Sequence, residues 1–203
     1  MELIDAIHRR RMCRDFEATP VDRDLLDGLV DLARRVPSAG YSQGFSFYVL
    51  EDSDTARFWD RTLPPENRGS FRWPGLLRAP VLILPLAHAD AYVARYREPD
   101  KVAAGLGERA DAWPIPYWYA DCAMAVQNLL LACTDAGLGA LYFGIFDNEA
   151  ALLADLAIPD GHRPIGAVAI GWPTLAARTS GPEASAARRP RRPLDEVVHR
   201  GRW

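Results

Sequence analysis

The chain has 203 residues, of which 49% are hydrophobic and 25% charged, the usage of a folded globular protein long enough to bury a real core. A net charge of −3 excludes a dedicated nucleic-acid binder, which needs clustered excess positive charge. Cys13, Cys122 and Cys133 have the spacing of neither a disulfide framework nor a zinc site, and free thiols predict a reducing, cytoplasmic setting.

The first predicted element is a short helix carrying Leu3, Ile4 and Ile7 at helical spacing. The start, Met1-Glu2-Leu3-Ile4-Asp5, lacks the basic, apolar pattern of a signal peptide. The helix ends in Arg9-Arg10-Arg11-Met12-Cys13-Arg14-Asp15-Phe16, which places four arginines within six residues. Asp22 predicts the N-cap of a second helix, with Leu25, Leu26, Leu29, Val30 and Leu32 as its apolar stripe and an end before Pro37. A turn-rich segment, Pro37-Ser38-Ala39-Gly40-Tyr41-Ser42-Gln43-Gly44, leads into a strand over Phe45 to Leu50, and Val81 to Leu86 reads as another buried strand. The stretches Asp54 to Arg78 and Ala87 to Trp113 read as lids or local excursions.

The longest helix is predicted over Tyr117 to Ala136, entered through Pro114 and Pro116 and closed by Gly137. Asp121, Gln127, Asn128 and Asp135 interrupt its apolar character, so no membrane span is expected. Ala140 to Phe143 and Ile165 to Ile170 supply two more strands, with a helix from about Asn148 to Leu156 between them. Residues Ala176 to Pro193 form an Ala/Arg/Pro/Ser-rich arm. The mixed order of elements implies an α+β fold, a central sheet covered by helices, in a single domain over 1–203 with residues 176–203 as an extended arm.

Among 24 basic residues only Lys101 is a lysine, so nearly every cation is a planar guanidinium suited to phosphate. These arginines cluster at the two ends, in Arg9 to Arg14 and Arg188 to Arg192. The four histidines, His8, His88, His162 and His199, lack metal-ligand spacing. Gly137-Leu138-Gly139 follows a helix and precedes a strand, the reverse of a dinucleotide-binding turn, and reads as a helix cap. Cys13 lies between arginines that would lower its pKa, although packing is the simpler role. Trp113 to Tyr119 reads either as core or as an aromatic substrate wall.

The pattern Arg10-Arg11-Met12-Cys13-Arg14-Asp15-Phe16, followed by Ala33, Pro37-Ser38 and Gln43 ahead of an aromatic strand, resembles the nitroreductase family of FMN-dependent oxidoreductases. Asp121 to Asn128, Gly137-Leu138-Gly139 and Arg191 to Val198 follow in the family's order, so the resemblance covers nearly the whole chain. It implies a nitroreductase-like homodimer with flavin at the interface, an NADH or NADPH donor, a small-molecule acceptor of nitroaromatic or quinone type, and neither nucleic acid nor membrane as partner.

Carried over by position, the resemblance assigns FMN phosphate contacts to Arg10 and Arg191 with Arg189 in support, and places Arg14 beside flavin N1 and the C2 carbonyl. Arg11 and the Met12 backbone N–H join the same site. Pro37, Ser38, Tyr41 and Gln43 reach the flavin across the dimer interface, and Tyr142, Phe143 and Gly144 face the ring, with a backbone N–H of Phe143 or Gly144 near N5. Asp121 matches a position that touches the flavin edge. No catalytic side chain beyond these and no metal is implied. Met12 stands where a hydroxyl residue is common, Tyr41 replaces a frequent Asn and Phe143 a frequent Glu, departures that bear on substrate scope more than on flavin binding. Other readings are a relative of the flavin-destroying branch that makes dimethylbenzimidazole, a natural-product oxidase, and a non-catalytic protein that sequesters flavin.

Overall fold

The computed structural model describes residues 1–145, 147–179 and 189–202. Strand β2 (Val81–His88) lies at its centre, buried along nearly its whole length. It pairs antiparallel on one side with β1 (Phe45–Glu51) and on the other with β5 (Ala167–Gly171), which in turn pairs with β3 (Gly139–Phe143), giving the order β1-β2-β5-β3. A short strand, β4 (His162–Pro164), pairs with the end of β2. Every named pair is antiparallel, and the parallel component is the bridge between Met12 and Ala140.

Alternation along the strands divides the core in two, because successive side chains of a strand point to opposite faces. Leu82, Leu84 and Leu86 of β2 join Leu141 and Ala169 beneath α3 (Thr55–Thr62) and α7 (Glu149–Asp155), which contribute Phe58, Trp59 and Leu152. Val81 and Ile83 join Val168 and Ile170 beneath α2 (Arg23–Ala33) and α6 (Tyr117–Asp135), which contribute Leu26, Leu29, Val126 and Leu129. The result is helices, sheet, helices in three layers. Each fully buried Leu or Ile contributes about 1.5–3 kcal/mol relative to exposure.

The helix ends follow their sequence signals. The Asp22 carboxylate accepts from the Leu25 N–H at 3.1 Å. After α6, Gly137 adopts φ +77°, its N–H donates to Thr134 O and the Leu138 N–H to Cys133 O, which is the Schellman closure that favours glycine.

Several expectations are corrected. The apolar residues of α1 (Leu3–Arg9) do not enter the core: Leu3, Ile4 and Ile7 are exposed and only Ala6 of this helix is buried. Leu32 is exposed as well, since a stripe of five apolar residues is wider than the face α2 presents to α6. The strand expected over Ile165 to Ile170 begins two residues later, as β5, and Ile165 and Gly166 separate it from β4. The break falls at Gly166 (φ +144°), opposite Pro85, whose missing N–H lies between the β5 and β4 pairings of β2. The expected excursions contain helices α3, α4 (Pro65–Arg68) and α5 (Ala89–Arg95), and the arm opens with α8 (Leu175–Thr179). Among the described residues no helix is long and apolar enough to cross a membrane.

Candidate functional site

The arginine segment is fixed through its backbone and through two residues that carry no phosphate-binding charge. Met12 bridges to Ala140 of β3, and the Cys13 N–H donates to Ala140 O at 2.9 Å. Phe16 is fully buried, its N–H donates to Gly75 O at 3.2 Å, and Arg78 Nε donates to its carbonyl at 2.9 Å. The Asp15 carboxylate accepts from Thr174 Oγ1 at 2.6 Å and from Arg78. A Cβ at Gly75 would lie 2.0 Å from Asp15 Oδ1, so only glycine permits this approach. With the backbone held, the cations remain on the rim: Arg11 is exposed, and Arg10 and Arg14 are part-buried. The Arg14 guanidinium lies 5.3 Å from the centroid of the Trp73 ring, to which Arg72 also comes within 5.2 Å. Cys13 fits the simpler packing role: burial pushes its thiol pKa up, outweighing Arg14 and the bond to Asp15 O.

The 37–44 segment has the opposite construction. Its backbone is strained, with Gly40 at φ +63°, Tyr41 at +58° and Gln43 at +50°. Left-handed backbone at a non-glycine residue costs about 1–3 kcal/mol and persists only where the surroundings impose it. Here Ser38 Oγ accepts from the Gln43 N–H at 2.9 Å, and Ser42 Oγ donates to Ala39 O at 2.6 Å. Helix α5 adds the Arg95 guanidinium, whose Nε donates to Gly40 O at 2.8 Å, and the His88 N–H, at the N-cap of α5, donates to Gly44 O at 2.8 Å. Tyr41 projects outward, 71% exposed. Pro37 and Gln43 are exposed and Ser38 part-buried.

Asp121, expected at the flavin edge, is part of this support. It is only 3% exposed, and its Oδ2 accepts from the Ala39 N–H at 2.9 Å and from the Tyr92 hydroxyl at 2.7 Å. Both donors satisfy a carboxylate that would otherwise be costly to bury. Burial first, then the Asp121 hydrogen bond and charge, push the Tyr92 phenol up. Burial, with Asp121 adding to it, pushes the Cys122 thiol up to about 12.

At the far end of β3 the side chains turn inward. The Tyr142 hydroxyl donates to Ile165 O and its ring packs against the α2/α6 core, while the Phe143 ring stacks on Trp59 at 5.9 Å and 5° and meets Phe58 edge-on. Both residues nevertheless keep part of their surface exposed. Gly144 is part-buried, and Arg189 and Arg191 are exposed. Arg188 and the arm residues 180–187 lie outside the described residues.

Of the aromatic cluster, Trp113 and Trp118 are core, 7% and 8% exposed, packed around fully buried Tyr92. The Trp113 indole N–H donates to Leu106 O at 3.0 Å. Tyr117 and Tyr119 stay partly outside. The structure stacks His88 on His162, ring centroids 4.1 Å apart, but among the described residues no His, Cys, Asp and Glu cluster could hold a metal. The residues that sequence reasoning missed are Tyr92, Arg95 and Tyr96, which share one face of a helix read as an excursion; their i, i+3, i+4 spacing was the available signal.

The sequence profile of the Nitroreductase family matches residues 7–172. A Methanothermobacter thermautotrophicus protein whose name reads NADH dehydrogenase/NAD(P)H nitroreductase is 24% identical over 177 residues, 85% of this chain and 78% of that one. A 5,6-dimethylbenzimidazole synthase of Rhodospirillum rubrum is 26% identical over 185 residues, 84% of this chain and 82% of that one. A nitroreductase of Desulfovibrio desulfuricans, solved in complex with FMN, superposes with a TM-score of 0.68 at 23% identity, covering 100% of this chain and 98% of that one.

Proposed function

The chain belongs to the Nitroreductase family, and from that membership we propose that it is a homodimeric, FMN-dependent oxidoreductase taking hydride from NADH or NADPH and reducing an electron-poor acceptor of nitroaromatic or quinone type. The observation that carries the reading is the arginine segment, whose backbone is stitched to β3 and to residues 75 and 174 while Arg10, Arg11 and Arg14 remain on the rim. Such a donor set suits a dianionic phosphate and an electron-rich heterocycle edge, because guanidinium forks pair oxygens in two places at once.

When bound, FMN supplies the two-electron carrier, so no catalytic triad is required. Arg10, with Arg189 and Arg191 of the arm, would pair its phosphate, and Arg11 and the Met12 N–H would complete that end. Arg14 would hold a positive charge beside N1 and the C2 carbonyl, where negative charge collects on reduction. A backbone N–H of Phe143 or Gly144 would face N5, and the 37–43 segment would close the site across the dimer interface. Cytoplasmic location follows the same reading.

The test is a contrast of two ligands. Replacing both Arg189 and Arg191 with Ala should weaken FMN by several kcal/mol, since charge-assisted hydrogen bonds contribute roughly 1.5–3 kcal/mol each, while riboflavin, which has no phosphate, loses little. Equal FMN affinity of wild type and double variant would return the arm to the surface. A wild-type protein that is colourless and takes up no added FMN would end the reading altogether.

The similarity to a dimethylbenzimidazole synthase favours one second reading, conversion of the flavin itself. Product analysis after incubating the protein with reduced FMN and oxygen separates this from steady NAD(P)H consumption coupled to an acceptor.

A further inference from the structure

The 37–44 segment is anchored at both ends by one buried side chain. The Tyr92 hydroxyl reaches Asp121 Oδ2, the oxygen that also receives the Ala39 N–H, so the two bonds, 2.7 and 2.9 Å, converge on a single atom at the start of the segment. At the other end, a Cβ placed on Gly44 would lie 2.4 Å from Tyr92 Cε2; the ring occupies the space any larger residue would need. Tyr92 is fully buried and Asp121 nearly so.

The same face of α5 continues the contact. Arg95 donates to Gly40 O, and the Tyr96 ring fills the space beside Gly40, where a Cβ would come within 2.6 Å of Tyr96 Cε2. Tyr92, Arg95 and Tyr96, spaced i, i+3 and i+4, thus meet the segment at its start, middle and end. Backbone in the left-handed region at Tyr41 and Gln43 relaxes unless its neighbours determine it from several directions.

We propose that Asp121 and Tyr92 are positioning residues for the flavin: they do not touch it, but hold the Pro37–Gln43 segment in the strained shape that binds it. The proposal rests on the FMN reading above and replaces the direct flavin contact that sequence resemblance gave Asp121. Its chemistry is that of a preorganised loop, in which ordering is complete before the ligand arrives and so does not subtract from affinity.

The test uses Tyr92→Phe, which deletes one hydroxyl and keeps the ring against Gly44, together with Asp121→Asn, each in the full-length protein. Hydrogen exchange of the Ala39 and Gln43 amides in flavin-free protein should speed up in both variants. The Kd for FMN should rise about tenfold or more, as expected for loss of a hydrogen bond to a charged group, and the visible circular dichroism of the bound flavin should change. Ile170→Val, which trims the core beneath α6 far from this segment, lowers stability without affecting either readout and so controls for general loosening. Faster exchange with unchanged FMN affinity and dichroism would overturn the proposal, as would unchanged exchange. If Asp121→Asn does not fold, Tyr92→Phe alone decides. A wild type that binds no FMN would instead sink the underlying reading, while the exchange measurement would still report whether the clamp exists.

Discussion

Residues 9–16 and residues 37–44 both leave the core to meet solvent, but the first is held by main-chain bonds and its own Asp15 and Phe16 side chains, the second chiefly by the side chains of its neighbours. In the arginine segment, Met12, Cys13 and Phe16 bond to strands and turns through main-chain groups, and the charged side chains are left on the rim. In the second segment the backbone is strained and Asp121, Tyr92, Arg95 and Tyr96 impose its shape. The difference separates two kinds of sensitivity. Arginines on a stitched backbone can be changed without disturbing the fold, so their loss should be felt by a ligand; a side chain that supports a strained loop alters the loop itself.

The largest expected effect tests the stitching. Phe16 is the one residue of the arginine segment with no exposed surface, and Phe16→Ala should cost about 3–5 kcal/mol of unfolding free energy, transfer and cavity terms together. Urea denaturation monitored by tryptophan fluorescence measures it. A loss under about 1 kcal/mol would mean that the main-chain bonds to Ala140 and Gly75 hold the segment without its core anchor.

Next comes the strained loop. Gly40→Ala puts a Cβ into the Tyr96 ring at a φ of +63°, and the left-handed backbone alone costs about 1–2 kcal/mol for an L-residue. The expected outcome is a drop in melting temperature accompanied by weaker FMN binding. A variant that melts lower yet binds FMN as tightly as wild type would break the comparison, because the loop's shape would then not matter to the ligand.

Arg14→Ala should leave the fold intact and the flavin bound, yet lower its reduction potential. Each ~1.4 kcal/mol of charge stabilisation lost at N1 corresponds to about 30 mV in a two-electron couple, read by dye-coupled redox titration. An unchanged potential in a flavin-loaded variant would show that Arg14 spends its charge on Trp73 and not on the ring.

The same contrast explains what the sequence disclosed. The sheet was legible because the unbroken apolar run in Val81 to Leu86, like that in α6, reflects burial directly, and Asp22 and Gly137 are local capping signals whose geometry depends on little else. The arginine segment was legible as a motif. The role of Asp121 was not, because its position in sequence says nothing of the tyrosine on α5 that meets it, 29 residues away in the chain. Nor could apolar spacing in α1 reveal that Leu3, Ile4 and Ile7 face outward: periodicity marks an apolar face, not the partner that covers it. The end of β3 at Tyr142 and Phe143 was legible too, but not the packing of their rings toward Ile165 and Trp59.

The smallest expected effect lies at the outer edge of the clamp. Arg95, which holds Gly40 O, is itself gripped by Asp100 through two bonds of 2.7 Å and by Glu98 at 3.0 Å. The Arg95 hydrogen bond lowers the Asp100 pKa from 3.8 to about 2. A carboxylate depressed in the folded state favours folding fully above its ordinary pKa of 3.8, and that contribution is lost as the pH falls toward about 2. Acidification through this window should therefore release Arg95 and loosen Gly40, while at neutral pH the grip is complete. The pair is open to solvent, so the effect is modest. Amide resonances of Gly40 and Tyr41, followed from pH 5 downward, should shift with a midpoint near 2. In Asp100→Asn that step should vanish, with the loop already looser at pH 7. A midpoint at the ordinary carboxylate value would mean that Asp100 does not grip Arg95 in solution, leaving Glu98 as the carboxylate that holds the guanidinium against Gly40 O.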